Sequence, residues 1–320
     1  GTRSRTCVNK SRAASVLPDL QSSGDLIADR RFGYALALLA DKDAEAALDL
    51  FTQVLERVPH WPPALLGMGD ACLLAQDNQQ ASRYFRLCLE QDPSDRLGAG
   101  PRLARLNEIA ADAAIRPGYV AALFDDYAKR FDSHLVESLD YRAPDLLLSA
   151  LLKEKQFFKN AYDLGCGTGL MGALLRASVE RLEGCDLSPA MLQEARKKNI
   201  YDRLDLDECA HALSLLEPAS LDLVTAADVV VYMGALTDLF EKAHACLKDN
   251  GILALTAQAC AGRHFIIGED LRSAHSEHYL REQATLAGFE PVCFEAVSVR
   301  KDRGQPVSGW LCLFRKTVRD

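Results

Sequence analysis

Residues 161–175, with the sequence AYDLGCGTGLMGALL, constrain the fold more than any other stretch of the chain. A short apolar run ends at Asp163, and three glycines follow at alternate positions before an apolar helical pattern begins at Leu170. This order predicts a buried strand, a tight turn and a helix, the first unit of a doubly wound α/β sheet. Because glycine lacks a Cβ, a ligand can lie against the backbone of such a turn at the helix N-terminus. We therefore expect a nucleotide-type site here.

The glycine spacing and the neighbouring acid narrow the choice of nucleotide. The pattern is Gly-x-Gly-x-Gly, and Leu170 stands where a dinucleotide fingerprint requires its third glycine. A pyrophosphate is anionic and gains nothing from Asp163. S-adenosylmethionine instead carries an ammonium group and a sulfonium, which a carboxylate at the strand tip complements. The stretch therefore favours S-adenosylmethionine.

A second acid follows at the interval expected for the next strand. Residues 181–185 lead into Asp186, 23 residues after Asp163, which is about the spacing at which an acid reaches a ribose diol. Ser188 is predicted to be the N-cap of the next helix, and Pro189 its first-turn residue. The buried face of this helix is predicted to comprise Met191, Leu192 and Ala195.

The strings DLGCGTG and GCDLSPAML together closely resemble the first two motifs of class I S-adenosylmethionine-dependent methyltransferases. The alternative is a glycine-rich turn in another α/β protein, which the pairing of both motifs at this interval disfavours. The resemblance implies three groups of cofactor-binding residues. They are Asp163, Gly165 and Gly167 at the methionine part, Asp186 at the ribose, and Leu187 with Met191 at the adenine.

Residues 28–94 repeat with a period of 34, which pairs Asp43 with Asp77 and Phe51 with Phe85. The two Asp are predicted to cap the second helix of each repeat. The period and residue order resemble the tetratricopeptide repeat. Two repeats are clear and a third is not. Such a module either presents a concave surface to a protein partner or serves as a spacer or dimerisation arm, and the sequence leaves both open.

Between the repeats and the first strand, the pattern predicts a helix over 103–114 and an aromatic helix pair over 120–147. The resemblance implies that this pair folds over the cofactor and walls the substrate pocket. Tyr127 and Arg142 would then touch the methionine end, and His134 is a candidate general base. For each, the alternative is a residue that only packs, caps or faces solvent.

Further strands are predicted over 204–208, 220–227 and 252–256, then a helix over 275–286 and an antiparallel edge hairpin over 291–299 and 309–314. By the resemblance, an acid after the third strand accepts from the adenine amino group, and counting favours Glu208 over Asp207. Residues after the fourth strand would line the transferring methyl, which points to Asp228, Val229 and Tyr232.

Composition limits the partners. A net charge of -8 disfavours nucleic acid, and no apolar run is long enough to cross a membrane. Ten scattered cysteines without a Cys-x-x-Cys pair indicate a reduced, cytoplasmic protein. His275 and His278 lack a third ligand at a matching spacing, so we predict an exposed helix start there and no metal site.

The sequence thus predicts a disordered tail over 1–27, two repeats over 28–95, a linker with a capping helix over 96–118 and a methyltransferase domain over 119–317. The fold class is α/β: a Rossmann-like, seven-stranded doubly wound sheet with an antiparallel edge hairpin, preceded by an all-α module. The predicted function is methyl transfer to a small metabolite with a carboxylate, hydroxyl or amine acceptor. The alternatives are a protein methyltransferase that recruits its target through the repeats and a scaffold with a vestigial cofactor domain. Catalytic residues stay open, with Tyr127, His134 and Tyr232 as candidates.

Overall fold

The structure is a computed structural model that describes residues 22–128, 141–302 and 304–317. The predicted candidate His134 and most of the predicted tail lie outside these residues. The first part of the chain is helical. Its elements are α1 (Leu26–Ala40), α2 (Ala44–Arg57), α3 (Pro62–Leu74), α4 (Asn78–Gln91), α5 (Ala99–Arg105) and α6 (Pro117–Tyr127).

Helices α1 to α4 form the two predicted repeats. The carboxylates of Asp43 and Asp77 accept hydrogen bonds from the backbone N–H groups of Ala46 and Gln80, which confirms both predicted caps. The helices pack closely because small residues face aromatic ones: a Cβ on Gly67 would lie 2.5 Å from the Phe51 ring. The repeats therefore share one continuous apolar core.

The predicted helix over 103–114 is wrong. Helix α5 begins earlier, at Ala99, and a separate turn of 3₁₀ helix spans Ala111–Ala113. The buried carboxylate of Asp95 accepts from the backbone N–H groups of Ala99 and Gly100 and so caps α5. A first helical turn tolerates glycine and proline because its N–H groups need no intrahelical partner.

The second part of the chain alternates strands and helices. The helices are α7 (Ala143–Glu154), α8 (Leu170–Leu175), α9 (Pro189–Lys198), α10 (Cys209–Ser214), α11 (Thr237–Cys246) and α12 (Glu277–Ala287). The strands are β1 (Phe158–Leu164), β2 (Val179–Asp186), β3 (Arg203–Leu206), β4 (Leu221–Ala226), β5 (Leu247–Ala259), β6 (Phe265–Ile267), β7 (Ser273–His275), β8 (Phe289–Asp302) and β9 (Gln305–Lys316).

The strands form one mixed sheet with an apolar core on each face. Strands β3, β2, β1, β4 and β5 lie side by side in parallel, and β9 with β8 closes the far edge antiparallel to β5. This arrangement confirms the doubly wound sheet and its edge hairpin. The order reverses between β1 and β4, and that switch point is where such sheets bind ligands.

Within the part of the chain that the structure describes, the sheet has nine strands rather than the predicted seven. The two additional strands, β6 and β7, form a small hairpin after β5, and β7 pairs with the end of β5. His275, predicted to lie at an exposed helix start, is instead fully buried in β7, and its Nε2 lies 3.0 Å from the Gly234 carbonyl oxygen. The helix begins two residues later, at Glu277, with Ser276 as its cap.

Candidate active site

A cavity of about 530 Å³ opens at the carboxyl ends of the parallel strands. Its wall combines the loops after β1 to β4, helix α6 and the linker before α6. Part of the wall is formed by residues that the sequence predicted for the site: Tyr127, Gly165, Gly167, Asp186, Leu187, Glu208, Asp228, Val229 and Tyr232. The parallel strand order thus brings the residues after β1, β2, β3 and β4 to one chamber, and α6 adds Tyr127 to it.

The glycine loop after β1 turns as the pattern predicts. Gly165 has a φ of +54°, a left-handed conformation that favours glycine, and a Cβ there would lie 2.7 Å from the Val229 side chain. The backbone N–H of Gly167 donates to Asp186 at 2.9 Å. The loop is thus fixed to the tip of β2, and its bare backbone faces the cavity.

Asp186, the acid predicted to hold a ribose, lies at the tip of β2 and faces the cavity. One carboxylate oxygen accepts from Gly167 N–H and the other from Ser188 N–H at 2.8 Å, while the side chain still faces the cavity. Each carboxylate oxygen has a second lone pair with which to accept from a ligand hydroxyl. Burial is the main cause that raises the pKa of Asp186 above its usual value.

The helix after β2 has the predicted start. Ser188 is its N-cap and accepts from Met191 N–H at 3.0 Å, and Pro189 opens the first turn. Met191, Leu192 and Ala195 are buried, as predicted. Met191 itself lies behind the cavity wall, where the structure brings only its neighbour Leu187 to the surface of the chamber.

Asp163 lies behind the glycine loop. It is 1% exposed, and its oxygens accept from the hydroxyl groups of Thr225 at 2.7 Å and Tyr201 at 2.6 Å. Burial raises its pKa to about 6, although both hydroxyl bonds lower it. The structure therefore does not bring Asp163 to the cavity wall with Asp186. Asp163 can instead position the glycine loop through Tyr201, whose hydroxyl donates to Asp163 and whose ring lies beside Gly169.

Tyr201 is a site-supporting residue that the sequence analysis missed. Its ring fills the space beside Gly169, Gly172 and Gly184, where a Cβ would meet it within 3.3 Å. Its hydroxyl holds Asp163. No sequence motif connects Tyr201 to Asp163, which lies 38 positions earlier in the chain. The one available signal is the set of glycines that leaves space for its ring.

The two acids after β3 have different environments. Glu208 lines the cavity, as the counting argument favoured. Asp207 points to His211, whose Nδ1 lies 2.8 Å from the carboxylate. Asp207 and His211 lie outside the cavity lining, so Glu208 is the acid of these two that faces the cavity.

The end of β4 carries a charged network. Asp228 has a φ of +57° and accepts from Arg300 at 2.9 Å. Arg272, which the sequence analysis missed, lines the cavity 4.0 Å from the same carboxylate, with its guanidinium 5.2 Å from the Tyr232 ring centroid. Arg272 comes from the additional hairpin, so its approach could not be foreseen from a seven-stranded pattern.

Helix α6 and Tyr141 supply a further part of the wall. Tyr127 lines the cavity, and Phe124 packs edge-on against Tyr232 at 5.0 Å between ring centroids. Arg142 is exposed and does not line the cavity; its backbone N–H donates to the Val299 carbonyl, and its own carbonyl accepts from Leu146 N–H. Its neighbour Tyr141 lines the cavity instead.

Comparisons with known proteins agree with this geometry. Residues 162–253 match a family model described as a methyltransferase domain, and residues 38–100 match one for the tetratricopeptide repeat. The chain is 29% identical over 180 residues to malonyl-[acyl-carrier protein] O-methyltransferase of Salmonella typhimurium, covering 54% of this chain and 67% of that protein. It is 36% identical over 119 residues to human methyltransferase-like protein 27, covering 36% and 46%.

Among solved structures, the chain resembles 1,6-didemethyltoxoflavin-N1-methyltransferase of Burkholderia thailandensis, determined with S-adenosylhomocysteine bound. The TM-score is 0.50 at 20% identity, over 62% of this chain and 89% of that one. This likeness shows a shared fold. The matched segments span between about half and two thirds of the two curated relatives.

The fold, the glycine loop and the matched domain define the class of protein: a class I S-adenosylmethionine-dependent methyltransferase. Within that class, this chain is a methyltransferase that carries tetratricopeptide repeats ahead of its catalytic domain. In the described ranges, no helix is long and apolar enough to cross a membrane.

Proposed function

We propose that the chain transfers a methyl group from S-adenosylmethionine to a small metabolite bound in the cavity. The observation that carries this proposal is the character of the chamber beyond the glycine loop. Its wall there is mostly apolar and aromatic, with Leu123, Phe124, Tyr127, Tyr141 and Met233 among its residues. Pockets of this volume and character suit small ligands with few polar groups.

In the proposed complex, Glu208 accepts from the adenine amino group, Asp186 accepts from the ribose hydroxyls, and Gly165 with Gly167 faces the methionine part. The cofactor supplies an activated methyl on a sulfonium. Transfer breaks the carbon–sulfur bond, forms a bond from the methyl to the acceptor, and leaves S-adenosylhomocysteine. The chain's own residues have to hold the acceptor in line with the methyl and exclude water.

Tyr232 and Tyr127 are proposed to shape the acceptor end rather than to accept a proton. Burial raises the pKa of Tyr232 to about 12, so the phenol stays protonated near neutral pH. A general base works best when its pKa lies near the working pH. An acceptor that is already deprotonated, such as a carboxylate, needs no base from this wall.

The second candidate is a protein methyltransferase that recruits its target through the repeats. The match of residues 38–100 to the repeat family supports it. The protein can be incubated with labelled S-adenosylmethionine and a cell lysate, after which the small-molecule and protein fractions are counted. We expect label among small molecules. Label in protein alone would favour the second candidate.

A further inference from the structure

We propose that Arg272 anchors a carboxylate group of the methyl acceptor, so that the substrate class is a small carboxylic acid with an apolar body. This inference rests on the proposed function and adds to it the chemistry of the substrate. Arg272 is the only basic side chain in the cavity wall formed by residues 22–128 and 141–302. Three observations support the inference: the position of Arg272, the packing that supports it, and the missing hydrogen-bond acceptor for its guanidinium among the described residues.

Arg272 lies at the acceptor end of the chamber. It immediately precedes β7, and β7 is separated from β1 by β4 and β5. Neighbouring strands lie about 4.8 Å apart, so three steps place the base of Arg272 roughly 14 Å from the strand that carries the glycine loop. The nucleoside residues Asp186 and Glu208 lie on the opposite side of β1. Arg272 therefore belongs to the half of the cavity beyond the methyl donor.

The guanidinium is held in place by aromatic packing. It lies 5.2 Å from the centroid of the Tyr232 ring, and Phe124 of α6 contacts Tyr232 edge-on. The Arg272 side chain is 26% exposed, so its charge is largely withdrawn from water yet open to the cavity. A guanidinium over a ring keeps its N–H donors at its edge, where a carboxylate can bind with two parallel hydrogen bonds.

The nearby acids are already engaged by another arginine. Arg300, which is 4% exposed, donates to Asp228 at 2.9 Å and lies 3.7 Å from Asp270. Arg272 is 4.0 Å from Asp228, beyond hydrogen-bond distance, and its side chain donates no hydrogen bond to the residues that the structure describes. An arginine with five N–H donors in a largely buried position is therefore without a close acceptor.

The charges around Arg272 favour a ligand with one negative charge over a ligand with two. Asp228 and Asp270 offset two arginines, Arg272 and Arg300, so the four-residue cluster is neutral before any ligand binds. One added carboxylate would supply the hydrogen-bond acceptors that Arg272 lacks and leave the cluster with one negative charge, whereas a phosphate dianion would leave it with two, next to Asp228. The wall residues Val120, Leu123 and Met233 are apolar, and the other charged side chains of the lining, Asp112, Asp186, Glu208 and Asp238, are acids, so Arg272 is the cation that an anionic ligand would meet. A monocarboxylate with an apolar body fits both features.

The test uses the full-length protein saturated with S-adenosylhomocysteine and matched pairs of carboxylate and amide probes, benzoate with benzamide and hexanoate with hexanamide. We expect titration calorimetry to show at least one pair in which the carboxylate binds about tenfold or more tightly than the amide. In Arg272→Gln this preference should disappear, and in Arg272→Lys it should be weaker. The control is Arg263→Gln, because Arg263 is exposed in the same insertion and lies outside the cavity lining.

Three results would contradict the inference. They are no carboxylate preference in any pair, a preference that survives in Arg272→Gln, or a tenfold loss of S-adenosylhomocysteine affinity in Arg272→Gln, which would assign the cation to the cofactor's own carboxylate. In each case the wild-type protein still binds S-adenosylhomocysteine, so the proposed function stands. If wild-type protein does not bind S-adenosylhomocysteine, the proposed function fails first. Thermal melting of Arg272→Gln and Arg272→Lys identifies a variant that does not fold, and the other then decides.

Discussion

At the scale of single residues, the two buried aspartates at the tips of β1 and β2 have different environments. Asp186 faces the cavity and accepts from Gly167 N–H, whereas Asp163 is enclosed by Thr225 and Tyr201. The sequence assigns a carboxylate to each strand tip but cannot tell which carboxylate is open. Their orientation depends on Tyr201, which no local pattern connects to the glycine loop.

This difference predicts unequal effects on cofactor binding. Asp186→Asn removes the charge that accepts from the ribose, and hydrogen bonds to charged groups contribute about 1.5–3 kcal/mol. We expect titration calorimetry with S-adenosylhomocysteine to show a roughly 10- to 100-fold loss for Asp186→Asn. Asp163→Asn should cost about tenfold or less, since it acts through the loop. Equal losses in both variants would place Asp163 in direct contact with the cofactor.

Asp163 also makes stability depend on pH. Burial raises its pKa to about 6 in the folded protein, against about 3.8 for an unperturbed group. At a pH between these two pKa values, Asp163 holds a proton in the folded protein and has lost it in the unfolded chain. The stabilisation that this proton gives the folded protein is therefore complete below about pH 4 and is lost as the pH rises to about 6. Asp95 has the same direction of shift and the same approximate value.

Replacing Asp163 with Asn removes this titration while the two hydroxyl groups can still bond the amide. We expect urea unfolding to show the free energy of Asp163→Asn rising relative to wild type between pH 4 and pH 7, by about 1–3 kcal/mol. The comparison between variants cancels the titration of other acids. A difference that stays constant with pH would show that the buried carboxylate does not titrate in this range.

At the scale of elements, the helix pairs of the repeats depend on close approach. A Cβ on Gly67 in α3 would lie 2.5 Å from the Phe51 ring, whereas nothing lies within 4 Å of one on Gly33 in α1. Gly67→Ala should therefore lower the free energy of unfolding by about 1–3 kcal/mol through overpacking. Gly33→Ala should be neutral or stabilising by up to about 1 kcal/mol. Denaturant titration measures both, and a neutral Gly67→Ala would show that the repeats can separate at little cost.

The elements also show where prediction from sequence ends. Strands β1, β2 and β4, the repeat caps and the edge hairpin follow from apolar runs, capping residues and glycine turns, which are local signals. The hairpin of β6 and β7 contains only three residues in each strand, too few for a visible alternation. Helix α5 begins at Ala99, four residues before the predicted start at Leu103, because the buried Asp95 caps Ala99 and Gly100. Pairing with β5 decides the hairpin, whereas a local cap from a buried aspartate decides the start of α5.

At the scale of the whole molecule, the repeats and the cavity wall form one packed arrangement. Gly98, at the end of the repeats, contacts the Tyr119 ring of α6, where a Cβ would lie 2.7 Å away. Helix α6 in turn bonds to the β2 loop: Asp125 accepts from the Ser188 hydroxyl at 2.5 Å. The repeat module therefore supports the helix that closes the acceptor end.

Gly98→Ala tests this connection. Gly98 and Gly304 have nearly equal positive φ values of +76° and +77°, but a Cβ on Gly304 meets nothing within 4 Å. Both alanine variants carry the same backbone strain, and only Gly98→Ala displaces Tyr119. We expect Gly98→Ala to weaken S-adenosylhomocysteine binding several-fold beyond any loss in Gly304→Ala. Identical affinities would show that the repeats do not support the site.

The most direct measurement is a crystal structure of the full chain with S-adenosylhomocysteine. We expect ligand density that extends from Glu208, at the adenine amino group, past Asp186 at the ribose hydroxyls to the glycine loop, with the sulfur facing the space beside Tyr232. Density for the nucleoside outside this cavity, or an Asp186 carboxylate without ligand contact, would contradict this expectation.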